Sequence, residues 1–390
     1  MSRARGEHHA IAGSQRERAS IAEDEVDRAV RAVEKLVIGV RVLLVSITRS
    51  VRPSVHVARL RPQVLLQLLR VRRAAAVTVE LHIHVSTIRD ERDTHGVRVG
   101  VVFPQLEIGT DPAKIRAYAQ AVEDLGYAHL VAFDHVLGAD TATRPAWHGP
   151  YNAKSTFHEV FVLFGFLAAC TTRLELAPAV IILPQRQTAL VAKQAAEVDV
   201  LTKGRTRLGV GLGWNEVEYV ALGEKFRNRA RRIEEQVEVL RLLFTQEVVD
   251  YTGRWHRIDR AGLNPLPVQR PIPIWMGGNA DPAVRRIARM ADGWFTHLQP
   301  DDAGRERLAA FRSYLREAGR DAATFPIEGR VAAAKRTPDD WARIAQGFAD
   351  MGMSHLEFST MGAGCATVDD HIALIRRFRE TAPVFDAMRT

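Results

Sequence analysis

Residues 174–215 read LELAPAVIILPQRQTALVAKQAAEVDVLTKGRTRLGVGLGWN. The first ten of these residues form a nearly continuous apolar run, which is typical of a strand buried on both faces in a parallel sheet. Residues 188–201 place apolar side chains at helical spacing, and Gly204 follows them as a C-terminal stop. Residues 207–211 form a second short apolar segment. The stretch therefore predicts a strand, a crossover helix and a second parallel strand that opens into a glycine-rich turn.

Three glycines remove side chains where this second strand ends, at Gly209, Gly211 and Gly213. A planar or anionic ligand can approach the backbone closely at such a turn, although a tight turn without a ligand explains the same spacing. The dinucleotide-binding pattern GxGxxG is not met, because Trp214 stands at the third glycine position. No acidic residue ends a strand about 20 residues later, which also argues against that class of site.

The strand and helix unit repeats from residue 97 to the C-terminus. Buried strands are predicted in residues 97–103, 129–133, 174–183, 207–211, 274–276, 293–296, 327–331 and 355–359. A helical pattern follows each strand, a long loop covers residues 136–155, and residues 248–258 predict a hairpin insertion. Eight such units predict an α/β fold of the TIM (β/α)8 barrel type with insertion loops. A doubly wound sheet, which usually has fewer units, is the alternative.

The N-terminal segment differs in composition from the rest of the chain. The formal net charge is +8, and residues 1–95 contribute +6 of it through 16 arginines and one lysine against 11 acidic residues. The remainder is nearly neutral, which argues against a nucleic-acid partner. The segment keeps neither strand nor helix periodicity for long. We predict that residues 1–96 are a poorly ordered extension, or lie upstream of the natural start, and that residues 97–390 form the barrel.

Composition and short motifs set further bounds. The chain has 46% hydrophobic and 26% charged residues, as a soluble globular protein does, and no apolar run reaches the roughly 18 residues of a membrane span. Its two cysteines, Cys170 and Cys365, have no short spacing, so we predict a cytoplasmic protein without a zinc knuckle. His82 and His84 form an HxH pair, as in some metal-dependent barrel hydrolases, but no cluster of other ligands follows. We therefore predict no metal site.

In a TIM barrel, the residues that follow each strand build the active site. Those residues are Asp134, His135, Gly211, Gly213, Asn215, Gly277, Gly278, Asn279, Thr296 and His297. The set is poor in carboxylates and lacks a lysine or a nucleophilic serine. It argues against triad hydrolysis, Schiff-base chemistry and a multi-carboxylate metal site. Glycines, amides and apolar strand ends favour a bound aromatic cofactor that carries out the chemistry itself.

One of these segments has the pattern of a phosphate site. Gly277, Gly278 and Asn279 lead into a predicted helix with Asp281 as its N-cap and Pro282 in its first turn. The free N–H groups at the start of such a helix can hold a phosphate. An ordinary capped helix after a flexible turn fits the same spacing.

Two long stretches carry a family resemblance. RLELAPAVIILPQRQTALVAKQAAEVDVLTKGRTRLGVGLGWNEVEYVALG and PLPVQRPIPIWMGGNADPAVRRIARMADGWF resemble the bacterial luciferase-like flavin oxidoreductases, and the resemblance runs from about residue 97 to the C-terminus. Within that superfamily the chain is most similar to the branch that uses the deazaflavin coenzyme F420, although members that use FMN share much of the pattern. The resemblance implies a luciferase-like barrel with a flavin-type cofactor.

The resemblance also implies roles for particular residues. A bulge at Ala179, Val180 and Ile181, with a non-proline cis peptide near the first two, supports one face of the isoalloxazine-like ring. Asp134 contacts the polar edge of the ring. His135 lies near the reactive carbon as an acid/base or positioning group, and a hydrogen-bonded loop histidine is the alternative interpretation.

The remaining cofactor-binding residues follow from the same resemblance. Gly211, Gly213 and Asn215 let cofactor and substrate approach the fourth strand, and Gly277, Gly278 and Asn279 cradle the phosphate of the ribityl tail. The branch that oxidises sugar phosphates has an acidic residue where this chain has Leu212 and a tryptophan where this chain has Ala139. These two differences argue against glucose 6-phosphate as the substrate. Trp147 and Tyr151 in the long loop indicate a small hydrophobic or carbonyl-bearing substrate under a lid.

The predicted activity is hydride transfer between coenzyme F420 and a small organic substrate, with His135 managing the proton. The same scaffold with reduced FMN would be a two-component monooxygenase, and a flavin reductase would supply the reduced FMN. An F420 reductase would supply the reduced coenzyme to an F420-dependent enzyme. A barrel without a cofactor that acts as a binding protein is the third hypothesis, and a metal hydrolase is the fourth. By resemblance we also expect a homodimer.

Overall fold

The computed structural model describes residues 96–382 and residue 384. The predicted N-terminal extension and the pair His82 and His84 therefore lie outside the described residues, and the boundary near residue 97 stays a prediction. In the described part, no helix is both long enough and apolar enough to cross a membrane.

The strands of the described part build one parallel barrel sheet and one small hairpin. In chain order they are β1 (Arg98–Val102), β2 (His129–Ala132), β3 (Glu175–Pro178), β4 (Ile181–Ile182), β5 (Leu208–Gly211), β6 (Val249–Thr252), β7 (Arg257–Ala261), β8 (Ile274–Gly277), β9 (Gly293–Phe295), β10 (Ile327–Ala332) and β11 (His355–Ser359). The large sheet has the order β3-β2-β1-β11-β10-β9-β8-β5-β4, and every pair in it is parallel. β6 and β7 pair antiparallel, which confirms the predicted hairpin insertion.

The sheet closes because its two outer members come from one interrupted strand. β3 pairs with β2 and β4 pairs with β5, and only Ala179 and Val180 separate β3 from β4. The backbone N–H of Leu176 donates to the carbonyl oxygen of Arg205 at 3.0 Å, which joins the two edges directly. The eight predicted strand segments thus form a closed (β/α)8 barrel, and the TIM-barrel prediction is confirmed.

Helices cover the outside of the barrel. In the described part they are α1 (Pro112–Asp124), α2 (Val160–Ala168), α3 (Thr188–Thr202), α4 (Glu216–Ala221), α5 (Arg229–Thr245), α6 (Asp281–Met290), α7 (Asp302–Glu317), α8 (Pro338–Asp350) and α9 (Val368–Thr381). The main hydrophobic core lies between this layer and the sheet, and Trp294, Tyr118 and Phe311 are among its largest fully buried side chains. The active-site end of such a barrel is built by the carboxyl ends of the strands and the segments that follow them.

The barrel lumen contains a buried cluster of charged groups below the strand ends. The Arg207 guanidinium bonds to Glu175 through Nε and donates from Nη1 to Glu328 Oε2 at 2.9 Å. The His129 Nε2 atom lies 2.5 Å from Glu328 Oε1. Burial raises the pKa of Glu328, but the charges of His129 and Arg207 outweigh it and hold that pKa well below its ordinary value. Since the carboxylates are compensated, the lumen tolerates charges that an apolar interior would exclude.

The glycines of β5 are required mainly by the interrupted strand. A Cβ atom at Gly209 would lie 2.0 Å from the carbonyl oxygen of Pro178, and one at Gly211 would lie 2.5 Å from Val180 Cγ2. At Gly209, the backbone of Pro178 therefore occupies the space in which the sequence analysis expected a ligand. Close packing of β5 against the bulge is the reason for the glycine spacing.

We expect Gly209→Ala to lower the free energy of unfolding by about 1–3 kcal/mol, because the neighbour that must move is backbone. Gly165→Ala is the matched control: it lies within α2, and a Cβ there meets no atom within 4 Å. That control is expected to leave stability unchanged or to raise it by up to about 1 kcal/mol. Urea unfolding of both variants measures the difference, and equal midpoints would contradict the packing argument.

Candidate active site

A cavity of about 520 Å³ opens at the carboxyl ends of the barrel strands. Nine of the predicted site residues line it, and they are Asp134, His135, Ala179, Val180, Gly211, Gly213, Gly277, Gly278 and Asn279. Thr296 and His297 line it as well. Its volume lies in the range of small-molecule and cofactor sites. The structure thus brings residues from five different strand ends to one place, as the barrel prediction requires.

The backbone at the bulge has the predicted geometry. The peptide bond between Ala179 and Val180 is cis, and neither residue is a proline. Val180 lies against Gly211 and Gly277, since a Cβ atom at Gly277 would approach Val180 Cγ1 to 3.1 Å. Both residues of the bond line the cavity, so the bulge presents an apolar face to any molecule bound there.

His135 is held by a carboxylate that the sequence analysis did not identify. Its Nδ1 atom lies 2.9 Å from Oε2 of Glu218, a residue of α4 whose side chain is 1% exposed. Glu218 Oε1 accepts hydrogen bonds from the backbone N–H groups of Val136 and Leu137, at 2.7 and 3.1 Å. One carboxylate therefore fixes both the imidazole and the start of the long loop after β2.

The charge state of Glu218 decides which nitrogen of His135 carries the proton. Burial raises the pKa of Glu218, but the hydrogen bond from His135 and those from the backbone of Leu137 and Val136 leave that pKa below its ordinary value. An ionised carboxylate only accepts hydrogen bonds, so Nδ1 of His135 is assigned as the donor. Nε2 is then left without a proton on the neutral ring, as a base requires.

Aromatic rings enclose His135. The centroids of Tyr151, Phe157 and Trp214 lie 5.1, 4.7 and 5.6 Å from the imidazole centroid, all with edge-to-face geometry. Trp147 packs on Trp214 at 5.5 Å, and its Nε1 donates to the carbonyl oxygen of Tyr151 at 3.1 Å. Tyr151 and Trp214 also line the cavity. The rings of the long loop, together with Phe157 and Trp214, thus form an apolar wall beside His135.

Asp134 has partners within the protein. Its Oδ1 accepts from Arg186 Nη2 at 2.6 Å, and its Oδ2 accepts from Arg186 Nε at 3.2 Å and from the backbone N–H of Ile182 at 2.9 Å. The side chain is 2% exposed although the residue lies in the cavity wall. Asp134 therefore anchors the backbone that follows the cis peptide, and this role was absent from the sequence prediction.

Two predicted residues lie outside the cavity lining. Ile181 is fully buried in the core next to the bulge. The Asn215 side chain caps α4, where Oδ1 accepts from the N–H of Val217 at 3.2 Å, and its Nδ2 donates to Glu218 Oε2 at 3.0 Å. Asn215 thus supports Glu218, and its Nδ2 also donates to the carbonyl oxygen of Leu137 at 3.3 Å in the long loop.

The floor of the cavity contains charged side chains that were missed. Glu328 and Arg330 on β10 and Glu357 on β11 line it, and Arg330 Nε donates to Glu357 Oε1. His297 lines the wall nearby, and burial, followed by the charge of Arg330, lowers the pKa of its imidazole. Our expectation of a site poor in carboxylates was therefore wrong. The signal that would have found them is a charge at alternate positions within otherwise apolar strands.

The turn from Gly277 to Ala280 precedes helix α6. We expected Asp281 to cap this helix; instead the helix begins at Asp281, and its N-cap Ala280 has no side-chain hydrogen bond. The carboxylate of Asp281 is bound by Arg285 at 2.8 Å and by Tyr314 at 2.7 Å. Uncapped N–H groups at the start of a helix favour the binding of an anion. The negative charge of Asp281 would oppose an anion there, but its hydrogen bonds with Arg285 and Tyr314 offset that charge. Arg229 adds a cation to the cavity lining.

In residues 96–382 and 384, no three His, Cys, Asp or Glu side chains are grouped so as to hold a metal ion.

The comparison with known protein families agrees with this architecture. The family model described as luciferase-like monooxygenase matches residues 93–364, which is more than half of the chain. The chain belongs to the luciferase-like monooxygenase family. The resemblance inferred from residues 173–223 and 265–295 is thereby confirmed.

Individual relatives use different cofactors. An uncharacterised protein of Mycobacterium tuberculosis is 36% identical over 231 residues, covering 58% of this chain and 79% of its own. An FMNH2-dependent dimethylsulfone monooxygenase of Pseudomonas fluorescens is 36% identical over 203 residues, covering 51% and 52%. The solved structure of an F420-dependent secondary alcohol dehydrogenase, in complex with an F420–acetone adduct, superposes with a TM-score of 0.60. It is 16% identical and covers 74% of this chain and 99% of its own, so that likeness shows the fold.

Proposed function

We propose that this protein is an oxidoreductase that transfers a hydride between coenzyme F420 and a small organic substrate. The observation that carries the proposal is the pair His135–Glu218, because His135 lines the same cavity as the Ala179–Val180 cis peptide. A hydride transfer to or from a carbonyl carbon needs a partner that gives or takes one proton at the oxygen. His135 supplies such a group within an apolar enclosure.

The described residues suit a ring cofactor with an anionic tail. The apolar bulge offers a flat support, the Gly277–Ala280 turn lacks side chains larger than Asn279 and leads into an uncapped helix start, and Arg229 adds a positive charge. When bound, coenzyme F420 supplies a two-electron hydride donor or acceptor. The protein's own residues bind, orient and shield the reacting groups.

His135 handles the proton at Nε2. In alcohol oxidation, Nε2 takes the hydroxyl proton as the hydride leaves the carbinol carbon; in carbonyl reduction, Nε2 returns that proton to the oxygen. Glu218 keeps Nδ1–H in place and stabilises the imidazolium by charge, as the carboxylate of a catalytic triad does. Tyr151, Phe157 and Trp214 exclude water around the ring and favour a small hydrophobic or carbonyl-bearing substrate.

A monooxygenase that uses reduced FMN is the second candidate. It is supported by the FMNH2-dependent relative, which is 36% identical over 203 residues. That function requires a flavin reductase as a partner, whereas the F420 proposal requires a source of reduced F420. In both cases we propose a homodimer, as the family resemblance implies, and a cytoplasmic location, as the two cysteines without short spacing indicate.

The two functions are separated by a fluorescence titration of the full chain with oxidised coenzyme F420 and, separately, with FMN. Micromolar binding of the deazaflavin with FMN at least tenfold weaker supports hydride transfer, and substrates are then found by the loss of F420 colour. A preference for FMN supports the monooxygenase. Binding of neither molecule overturns both functions and leaves a cofactor-free barrel.

We expect Glu218→Gln to lower kcat by about tenfold to a hundredfold with little change in cofactor affinity, because a neutral amide no longer stabilises the His135 imidazolium. Steady-state kinetics and a cofactor titration measure the two effects. Glu306→Gln is the control, since that glutamate is exposed. A kcat equal to that of the control would mean that the charge of Glu218 has no part in the proton transfer.

A further inference from the structure

Glu357 has a buried carboxyl group in the cavity floor, and one of its two oxygens has no hydrogen-bond partner among the described residues. The residue is 2% exposed and lies in the middle of β11, facing the lumen. Its Oε1 accepts a hydrogen bond from Arg330 Nε, while Oε2 has no hydrogen-bond partner among the described residues. Glu357 and Arg330 both line the cavity. A buried polar atom without a partner indicates a missing ligand, water or proton.

Arg330 is fixed in a position that leaves this oxygen open. Its guanidinium lies over the ring of Phe133, with Cζ 4.7 Å from the centroid, and Phe133 is itself part of the cavity wall. Stacking and the bond to Glu357 Oε1 together hold the arginine on one side of the carboxyl group. Oε2 is thereby left without a hydrogen-bond partner in the part of the chain that the structure describes.

Burial and the charged groups around Glu357 together set the pKa of its carboxyl group. They are Arg330 and Glu328 on β10, Arg207 next to β5, His355 on β11, His129 on β2 and His297 after β9. Burial raises the pKa of Glu357 and Glu328 adds to this, while Arg330 and Arg207 lower it, and the balance is a pKa of about 7. Burial holds the pKa of His355 well below its ordinary value, and partial loss of water together with the charge of Arg330 lowers that of His297, so neither imidazole adds a positive charge at neutral pH.

We propose that Glu357 binds as a neutral acid, donating its Oε2 proton to a carbonyl oxygen of the ring that occupies the cavity. The proposal rests on the proposed function, because that function places a carbonyl-bearing heteroaromatic ring in this space. With Arg330 on Oε1, the proton resides on Oε2, where the described residues offer no acceptor. A bound ring also excludes water, which favours the neutral acid further. His135 in the wall and Glu357 in the floor thus give the cavity two separate proton-carrying groups.

Binding of the ring then depends on pH with a defined sign. Since only the protonated form donates, affinity is full below the pKa of about 7 and falls as pH rises through it. The dissociation constant of the wild-type protein is expected to rise by about tenfold from pH 6 to pH 8 through this group. Glu357→Gln retains a donor and an acceptor at every pH, so its affinity stays near the acidic wild-type value throughout.

The test is a fluorescence titration of wild type, Glu357→Gln and the exposed control Glu306→Gln with F420 and with FMN from pH 5.5 to 8.5. Ionisable groups of the ligand change the dissociation constant of all three proteins equally, so they do not contribute to the difference between the proteins. A pH dependence that is present in wild type and control and absent in Glu357→Gln supports the proposal. Equal pH dependence in all three overturns it, and so does tighter wild-type binding at high pH, which would mean a carboxylate that accepts from a ring N–H.

A second measurement needs no ligand. Infrared difference spectra of the ligand-free protein between pH 5.5 and 8.5 should contain a protonated carboxyl band that titrates near pH 7 and is missing in Glu357→Gln. Absence of that band in wild type overturns the proposal even if the variant fails to fold. Failure of wild type to bind either ring at any pH overturns the proposed function together with this inference. Binding without the pH dependence overturns the inference alone.

Discussion

Replacing His135 with alanine is expected to lower kcat/KM by about 10²–10⁴-fold, which is the usual contribution of general acid–base catalysis. The imidazole is the group in the aromatic wall whose Nε2 is free to exchange a proton with a substrate oxygen, because Glu218 occupies Nδ1 at 2.9 Å. Cofactor affinity is expected to change by less than about threefold, since the bulge and the Gly277–Ala280 turn are untouched. Stopped-flow absorbance of the cofactor measures hydride transfer directly.

Two further variants separate chemistry from packing. His148→Ala removes an exposed histidine of the same loop and is expected to have wild-type activity. His135→Asn keeps a donor to Glu218 but removes the base, so it should be as inactive as His135→Ala while retaining the loop structure. If His135→Asn kept more than a tenth of the wild-type rate, the proton role assigned to His135 would be wrong.

Arg207→Met is expected to produce the largest loss of stability, about 3–5 kcal/mol in the free energy of unfolding. Arg207 is 4% exposed and compensates the carboxylates of Glu175 and Glu328, which remain buried when it is removed. It also stacks on Trp275, with Cζ 4.2 Å from the ring centroid, and methionine retains part of that packing. The loss is therefore assigned mainly to the two carboxylates, which among the described residues keep only Arg98 and His129 as partners.

Arg257→Met is the matched control for this prediction, because Arg257 is 77% exposed and lies 3.8 Å from Asp259. Exposed ion pairs of that kind contribute about 0–1 kcal/mol, so the control should unfold close to wild type. Thermal and urea unfolding of the two variants are compared at pH 7. A loss below about 1 kcal/mol for Arg207→Met would mean that the lumen is hydrated and that the charges are not buried in solution.

Most of the fold was predictable from the sequence because the barrel strands are buried on both faces. Apart from Glu175 and Arg207, residues 174–183 and 207–211 are apolar without alternation, and a helical pattern separates them, so the parallel unit can be recognised locally. The interruption at Ala179 and Val180 has no such signal, since a cis peptide leaves hydrophobic periodicity unchanged. Its position came from the family resemblance, and the structure contains it.

Only those residues of the candidate site that directly follow a barrel strand could be predicted from the sequence. Asp134 and His135 follow β2 directly, so position alone identified them. Glu218 lies 83 residues from His135 in sequence and meets it only through the tertiary fold. Glu357 was overlooked because it lies within a strand, where its neighbours Leu356 and Phe358 indicate a buried segment. A side chain that acts from a distant helix, as Glu218 does, is not visible in a local pattern, whereas a charge within an apolar strand is.

The most direct test of the central claim is a crystal structure of the full chain with oxidised coenzyme F420. The account predicts the deazaflavin ring against the Ala179–Val180 bulge, its phosphate at Gly277–Ala280, and a carbonyl oxygen within hydrogen-bond distance of Glu357 Oε2. His135 Nε2 should face the reactive carbon across the space left for the substrate. A ring bound elsewhere, or a cavity without the cofactor at saturating concentration, would contradict the account.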